Sequence, residues 1–195
     1  MRHLMTCGFT ITYGYSQSDE ISLLFDLNEQ SFGRKTRKLI SVLAGEASAK
    51  FSVLLGQVGA FDCRLSELPN SALVVDYFRW RQEDAHRNAL NAHCYWRLRQ
   101  QGQTAAQATR QIEKMGVSAK NELLFQLGIN VNDLPVWQKR GTGVTWQEME
   151  KDGFNPITNQ VVQTMRRQLV INYELALHEA YGQFIAEITT RQPQN

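Results

Sequence analysis

Residues 11–26 read ITYGYSQSDEISLLFD, and the fold turns on how they are read. Two runs rich in β-branched and aromatic side chains, residues 9–13 and 21–25, flank a polar break at 14–20, the pattern of a β-hairpin. Asp19 and Glu20 stand side by side where the second strand starts. Their side chains therefore leave the strand on opposite faces, and only one can point at a given site. A single carboxylate at the head of a strand, beside small Ser18, suits a divalent cation that also holds phosphates, since Mg²⁺ takes few protein oxygens and keeps water and phosphate. Taken alone, the same pair reads more simply as a solvated turn.

Downstream, residues 31–56 (SFGRKTRKLISVLAGEASAKFSVLLG) predict a helix. Leu39, Leu43, Ala47 and Phe51 recur every four residues, continue into Leu54 and Leu55, and define a core-facing stripe that Gly56 ends. Its first turns carry Arg34, Lys35, Arg37 and Lys38. Cations are disfavoured near a helix N-terminus, where the macrodipole is already positive, so the cluster makes sense if an anion, phosphate above all, is held there. A solvated basic face is the competing reading. Upstream, MRHLMTCGF reads as the last two turns of a helix ending at Gly8, with no first turn before it.

Residues 57–65 predict a short strand, and Pro69, Asn70 and Ser71 a loop capping a long helix over residues 72–101, ended by Gly102. Arg81, Asp84, Asn88 and Asn91 lie on one face of that helix, with His86 and His93 on an adjacent one. Such a polar row is either a wall for a polar ligand or an exposed face of local pairs. Thr104 and Gln107 form a capping box, and Ser118 is expected to cap a helix carrying Leu123, Leu124 and Leu127 inward. Residues 137–146 predict a strand with two cations, Lys139 and Arg140, and two glycines. A turn is expected at residues 152–156, a half-buried strand through Leu169, Ile171, Tyr173 and Leu175, and a helix from His178 to Ile188 before a polar, disordered tail.

The 195 residues suffice for one sizeable globular unit, and 43% hydrophobic and 21% charged residues with a net charge of +2 exclude a disordered or membrane chain. Nucleic acid would have to be met by local basic clusters rather than a global field. Cys7, Cys63 and Cys94 are odd in number and widely spaced, which predicts reduced thiols and a cytoplasmic location. No apolar run approaches the roughly 18 residues of a membrane span. Motifs for a zinc site, a P-loop, a Rossmann turn and a nucleophile elbow are absent.

In order, QSDEISLLFD (17–26), RKTRKL (34–39), FRWRQEDAHRNALN (78–91), KNELLF (120–125) and KRGTGVTWQ (139–147) resemble the tRNA-His guanylyltransferase family, closest to its guanylyltransferase-like branch. The resemblance implies an α+β fold with a polymerase palm-like antiparallel sheet and packed helices. It also implies Mg²⁺-dependent nucleotidyl transfer to the 5′ end of tRNA in the 3′-to-5′ direction, by a two-metal mechanism. ATP or GTP would activate the 5′ end before the 3′-hydroxyl of the incoming nucleotide attacks. By resemblance, Asp19 binds metal with Glu20 beside it, and Ser18, Arg34 and Lys38 bind nucleotide. Asp84, His86 and Asn88 match the motif needed for activity, while Lys120, Asn121 and residues 139–142 fall in further signatures. The implied partners are tRNA, ATP, GTP and further copies of the chain in a homotetramer, a dimer of dimers, with no membrane.

Two departures qualify the match. The family's first metal carboxylate lies in an Asp-Gly-Arg motif upstream of the hairpin, and Asp62-Cys63-Arg64 is in the wrong place to replace it. This points to an N-terminally shortened chain or a misplaced start codon, lacking one interior strand. Ala89 stands where tRNA-His-specific members carry asparagine, which favours template-dependent repair of truncated tRNA 5′ ends. A non-catalytic tRNA- or nucleotide-binding module, and a nucleotide cyclase, are the alternatives. The expected organisation is a single domain over 1–195, with a partial palm-like core at 1–65, a helical region at 66–135 and C-terminal strands and helix at 136–190.

Overall fold

Only Ser18 and Asp19 of the polar break form a turn. In the computed structural model, which describes residues 1–190, strand β1 (Ile11–Gln17) runs straight through Tyr15, Ser16 and Gln17, and β2 (Glu20–Phe25) starts at once, Gln17 pairing with Glu20. Ser18 has φ 53° and Asp19 has no positive φ, the signature of a type II′ turn, whose twist suits a two-residue hairpin.

The chain divides into two compact units, Met1–Glu67 with Gly143–Asn172, and Leu68–Thr142 with Tyr173–Asn195. The C-terminal stretch expected at 136–190 is thus shared between them.

In the first unit the strands order as β2-β1-β3-β4. Strands β3 (Thr142–Asn155) and β4 (Gln160–Asn172) form a long antiparallel hairpin, registered from Gly143 opposite Asn172 to Asn155 opposite Gln160. The indole of Trp146 donates to the carbonyl of Ile11 at 2.8 Å, tying β3 to β1. One core joins Ile11 and Val144 of the sheet, Leu39 and Leu43 of helix α1 (Thr36–Leu55), and Leu4, Met5 and Phe9. Residues 1–9 contribute a single 3-10 turn, Leu4–Thr6, rather than two helical turns. It lies against β1 at Gly14, where an added Cβ would come within 2.9 Å of the Met1 side chain.

Several expected elements differ. The apolar stripe of α1 is buried only in its first half; Phe51, Leu54 and Leu55 are exposed. Residues 57–65 form no strand, because their backbone bonds run back to α1: the amides of Gly59 and Phe61 donate to the hydroxyls of Ser52 and Ser48, and the Phe51 and Phe61 rings meet edge to face. Asp152 and Gly153 lie inside β3, and the hairpin reverses at residues 156–159. Strand β4 stops at Asn172, so exposed Tyr173 and buried Leu175 lie beyond it.

In the second unit α2 (Ser71–Gln100) packs against α3 (Ala105–Glu113), α4 (Val117–Gln126), α5 (Val136–Arg140) and α6 (His178–Thr190). Asn70 caps α2 by accepting from the Leu73 amide, and the Thr104–Gln107 capping box forms as expected. Phe78, Gln82, Ala85, Ala89 and Cys94 give α2 its buried stripe. Gly116, not Ser118, takes the N-cap of α4, without a side-chain bond. The strand expected at 137–146 is helix α5 up to Arg140. Pro135 fixes its entry, buried Lys139 turns back to donate to the carbonyls of Val131 and Asn132, and Gly141, at φ 73°, redirects the chain into β3. The tail expected after Ile188 lies, from residue 191, outside the described residues.

Candidate active site

Asp19 occupies the tip of the β1–β2 turn, exposed and without a hydrogen bond or ion pair among the described residues. Ser18 precedes it in the turn, and Glu20 opens β2 on the next position, so the two carboxylates diverge along the pleat.

The chain then enters a loop that sets the start of α1. Asp26 is buried; its amide donates to the Thr10 carbonyl and its carboxylate accepts from the Asn28 amide. Glu29, only 8% exposed, accepts from the amides of Thr10 and Ser31. Burial by itself would raise the Glu29 carboxyl pKa, but the hydrogen bonds from Ser31 and Thr10 prevail and bring it down to about 2. Phe32, Gly33 and Arg34 follow with φ of 57°, 59° and 57°, three consecutive left-handed residues inside the 3-10 segment Ser31–Arg34. Arg34 does not extend freely to solvent: one guanidinium nitrogen donates to the carbonyls of Leu27 and Glu29.

Lys35 is then the N-cap of α1 and contributes no side-chain cap, and no acidic residue lies in the first turn. Lys35, Arg37 and Lys38 are exposed and pair with no carboxylate among the described residues. Backbone N–H groups, macrodipole and cations thus all present positive potential to whatever anion arrives.

Asp84, His86 and Asn88 belong to the other unit, on α2. Asp84 sits within a local set of partners: Arg87 and the Asn88 amide each donate to it at 3.1 Å, and Arg81 lies 3.9 Å away. That is the paired helix face; of the same row, Asn91 keeps an amide oxygen buried without a donor among the described residues, as does Asn121 of α4. His86 is held below the ordinary histidine pKa, first by burial and then by Lys139, Arg140 and His178, so its imidazole is neutral at neutral pH. Lys139 and Arg140 are engaged with backbone carbonyls, Arg140 donating to Leu175, and Lys120 presents its own carbonyl to the Cys94 thiol. Glu29 escaped sequence reasoning because its partner Thr10 is distant in the chain; its only sign there is a place in a polar loop.

The fold and site define an α+β protein in which a four-stranded antiparallel sheet carries an acidic hairpin turn, followed in sequence by a helix with a basic start and then by a helical unit. A family model described as tRNAHis guanylyltransferase matches residues 1–69, and one described as Thg1 C terminal domain matches residues 72–179. The chain belongs to the tRNA-His guanylyltransferase family.

It is 32% identical over 168 residues to the probable tRNA(His) guanylyltransferase of Mus musculus, spanning 76% of this chain and 56% of that protein. With the Homo sapiens counterpart it shares 33% identity over 154 residues, 72% and 51% of the two chains. The chain therefore spans about half the length of these curated relatives. A bacterial tRNA(His) guanylyltransferase (Thg1)-like protein solved in complex with ATP matches with a TM-score of 0.72 and 28% identity, over 97% of this chain and 75% of that one. For a complex of such a protein with GTP the values are 0.67 and 28%, over 97% and 74%.

Proposed function

We propose that the chain binds a nucleoside triphosphate between the Asp19 turn and the basic start of α1, and adds guanylate to the 5′ end of tRNA in the 3′-to-5′ direction. The observation that carries this reading is the unpaired Asp19 carboxylate in the same unit as a helix start with three unpaired cations and no acid. The similar structures with ATP and GTP support the triphosphate, and the family supports the tRNA.

Among the described residues no group of three or more His, Cys, Asp or Glu side chains could hold a metal. Asp19 alone fits a Mg²⁺ ion that draws its other ligands from phosphate and water. When bound, such an ion neutralises charge on the reacting phosphates. Asp19 would hold that ion, Lys38 and Lys35 would draw the phosphates to the helix start, and Ser18, beside Asp19 in the turn, would adjoin the nucleotide. In the reaction the tRNA 5′-monophosphate displaces pyrophosphate from ATP or GTP, and the 3′-hydroxyl of the incoming GTP then displaces the nucleoside monophosphate. Asp84, His86 and Asn88, on α2, match the motif that the family needs for activity. A cytoplasmic location accords with the three free cysteines, and no described helix is long and apolar enough to cross a membrane. The family's homotetramer is the expected assembly, measurable by light scattering.

The cation cluster at the start of α1, able to hold phosphates without any transfer, favours one second reading, a nucleotide- and tRNA-binding fragment. One experiment separates them: 5′-monophosphorylated, 5′-truncated tRNA is incubated with ATP, labelled GTP and Mg²⁺. Label entering tRNA with the parent chain and not with Asp19→Ala supports transfer. Binding of GTP without any label transfer supports the fragment.

A further inference from the structure

We infer that Glu29 is a positioning residue for the triphosphate site, holding the left-handed turn that leads into Lys35 and the cationic start of α1. The inference rests on the reading that this helix start binds a triphosphate.

Glu29 uses every polar group it has. Its carboxylate bridges the amides of Thr10, before β1, and Ser31, before the left-handed turn. Its own amide donates to the Asp26 carbonyl, whose residue in turn donates to Thr10, closing a ring of three residues. Its carbonyl accepts from the Arg34 guanidinium. No cation pairs with the carboxylate among the described residues, so this buried charge is balanced by N–H and O–H donors alone.

What this arrangement maintains is unfavourable in itself. A left-handed conformation is disfavoured for a residue with a Cβ, and both Phe32 and Arg34 adopt it. Such strain persists only where the surroundings over-determine it. Here the determinants are the Glu29 bridge, the two carbonyl contacts of Arg34, and the edge contact between the Phe32 and Phe9 rings. The strained turn ends at the cap of α1, so its geometry fixes where the first-turn amides and cations point. A loop needed only to connect β2 to α1 would require neither the buried charge nor the strain.

The test is Glu29→Gln, which keeps the shape but sets an amide N–H against a backbone N–H. GTP with Mg²⁺ is the probe, and Ile112→Val in the other unit is the control for general loss of stability. We expect Glu29→Gln to weaken GTP binding about tenfold and to raise KM for GTP with kcat within twofold, because displaced binding groups act through the ligand they place. Ile112→Val should leave both unchanged. A folded Glu29→Gln that binds GTP as the parent does overturns the inference. A parent chain that binds no GTP overturns the triphosphate reading and the inference with it. Should Glu29→Gln not fold, Glu29→Asp decides by the same readout, since it retains the charge but reaches one fewer amide.

Discussion

Ser18 takes φ 53° as the first residue of the hairpin turn, a conformation glycine adopts without a Cβ clash. Ser18→Gly should stabilise the fold by about 0.5 kcal/mol, the strain relieved less the added freedom of glycine in the unfolded chain. If the hydroxyl also meets the nucleotide, the same variant should bind GTP more weakly. Thermal denaturation and GTP titration moving in opposite directions would show both effects. Ala89 makes the reverse point. It lies in the buried stripe of α2, so Ala89→Asn would bury an amide and should cost about 1–3 kcal/mol, read by urea denaturation. An asparagine thus cannot enter this helix position without loss of stability.

Elements were legible where one face is apolar and the ends are chemically marked. The hairpin, α2 with its Asn70 cap and α3 with its capping box follow from such signals. The turn was shorter than expected because Gly14, Ser16 and Gln17 read as loop residues, although Tyr13 and Tyr15 between and before them are buried strand positions. Residues 57–65 and 137–140 were misjudged because their backbone partners, the serines of α1 and the carbonyls reached by Lys139, are set by tertiary packing rather than by local pattern. The site followed the same division. Asp19 and the cations of α1 were visible as motifs, whereas Glu29 and the carbonyl contacts of Arg34 were not. Gly59 allows a direct check: an added Cβ would lie 2.5 Å from the Phe51 ring. Gly59→Ala should cost roughly 1–3 kcal/mol and release the amides of residues 59 and 61 to faster hydrogen exchange. Unchanged exchange would mean the stretch is not held through Ser48 and Ser52.

At the scale of the whole molecule, the two units should respond differently to acid. The folded chain holds His86 below its ordinary pKa of 6.5, so the unfolded chain binds that proton more readily. Stability is then full above pH 6.5 and falls as the pH drops below it, and His86→Gln should flatten that fall in pH-dependent denaturation. Glu29 acts later. Its depressed carboxyl contributes stability above the ordinary 4.5 that is lost as the pH approaches about 2.

The sheet unit is assembled from residues on either side of the helical stretch Leu68–Thr142. During synthesis β1 and β2 emerge early, yet β1 must wait for its other neighbour until that whole stretch has been made. Nascent chains therefore hold an open strand edge for much of their translation, and folding is governed by distant pairing that is slow to form and exposed to aggregation.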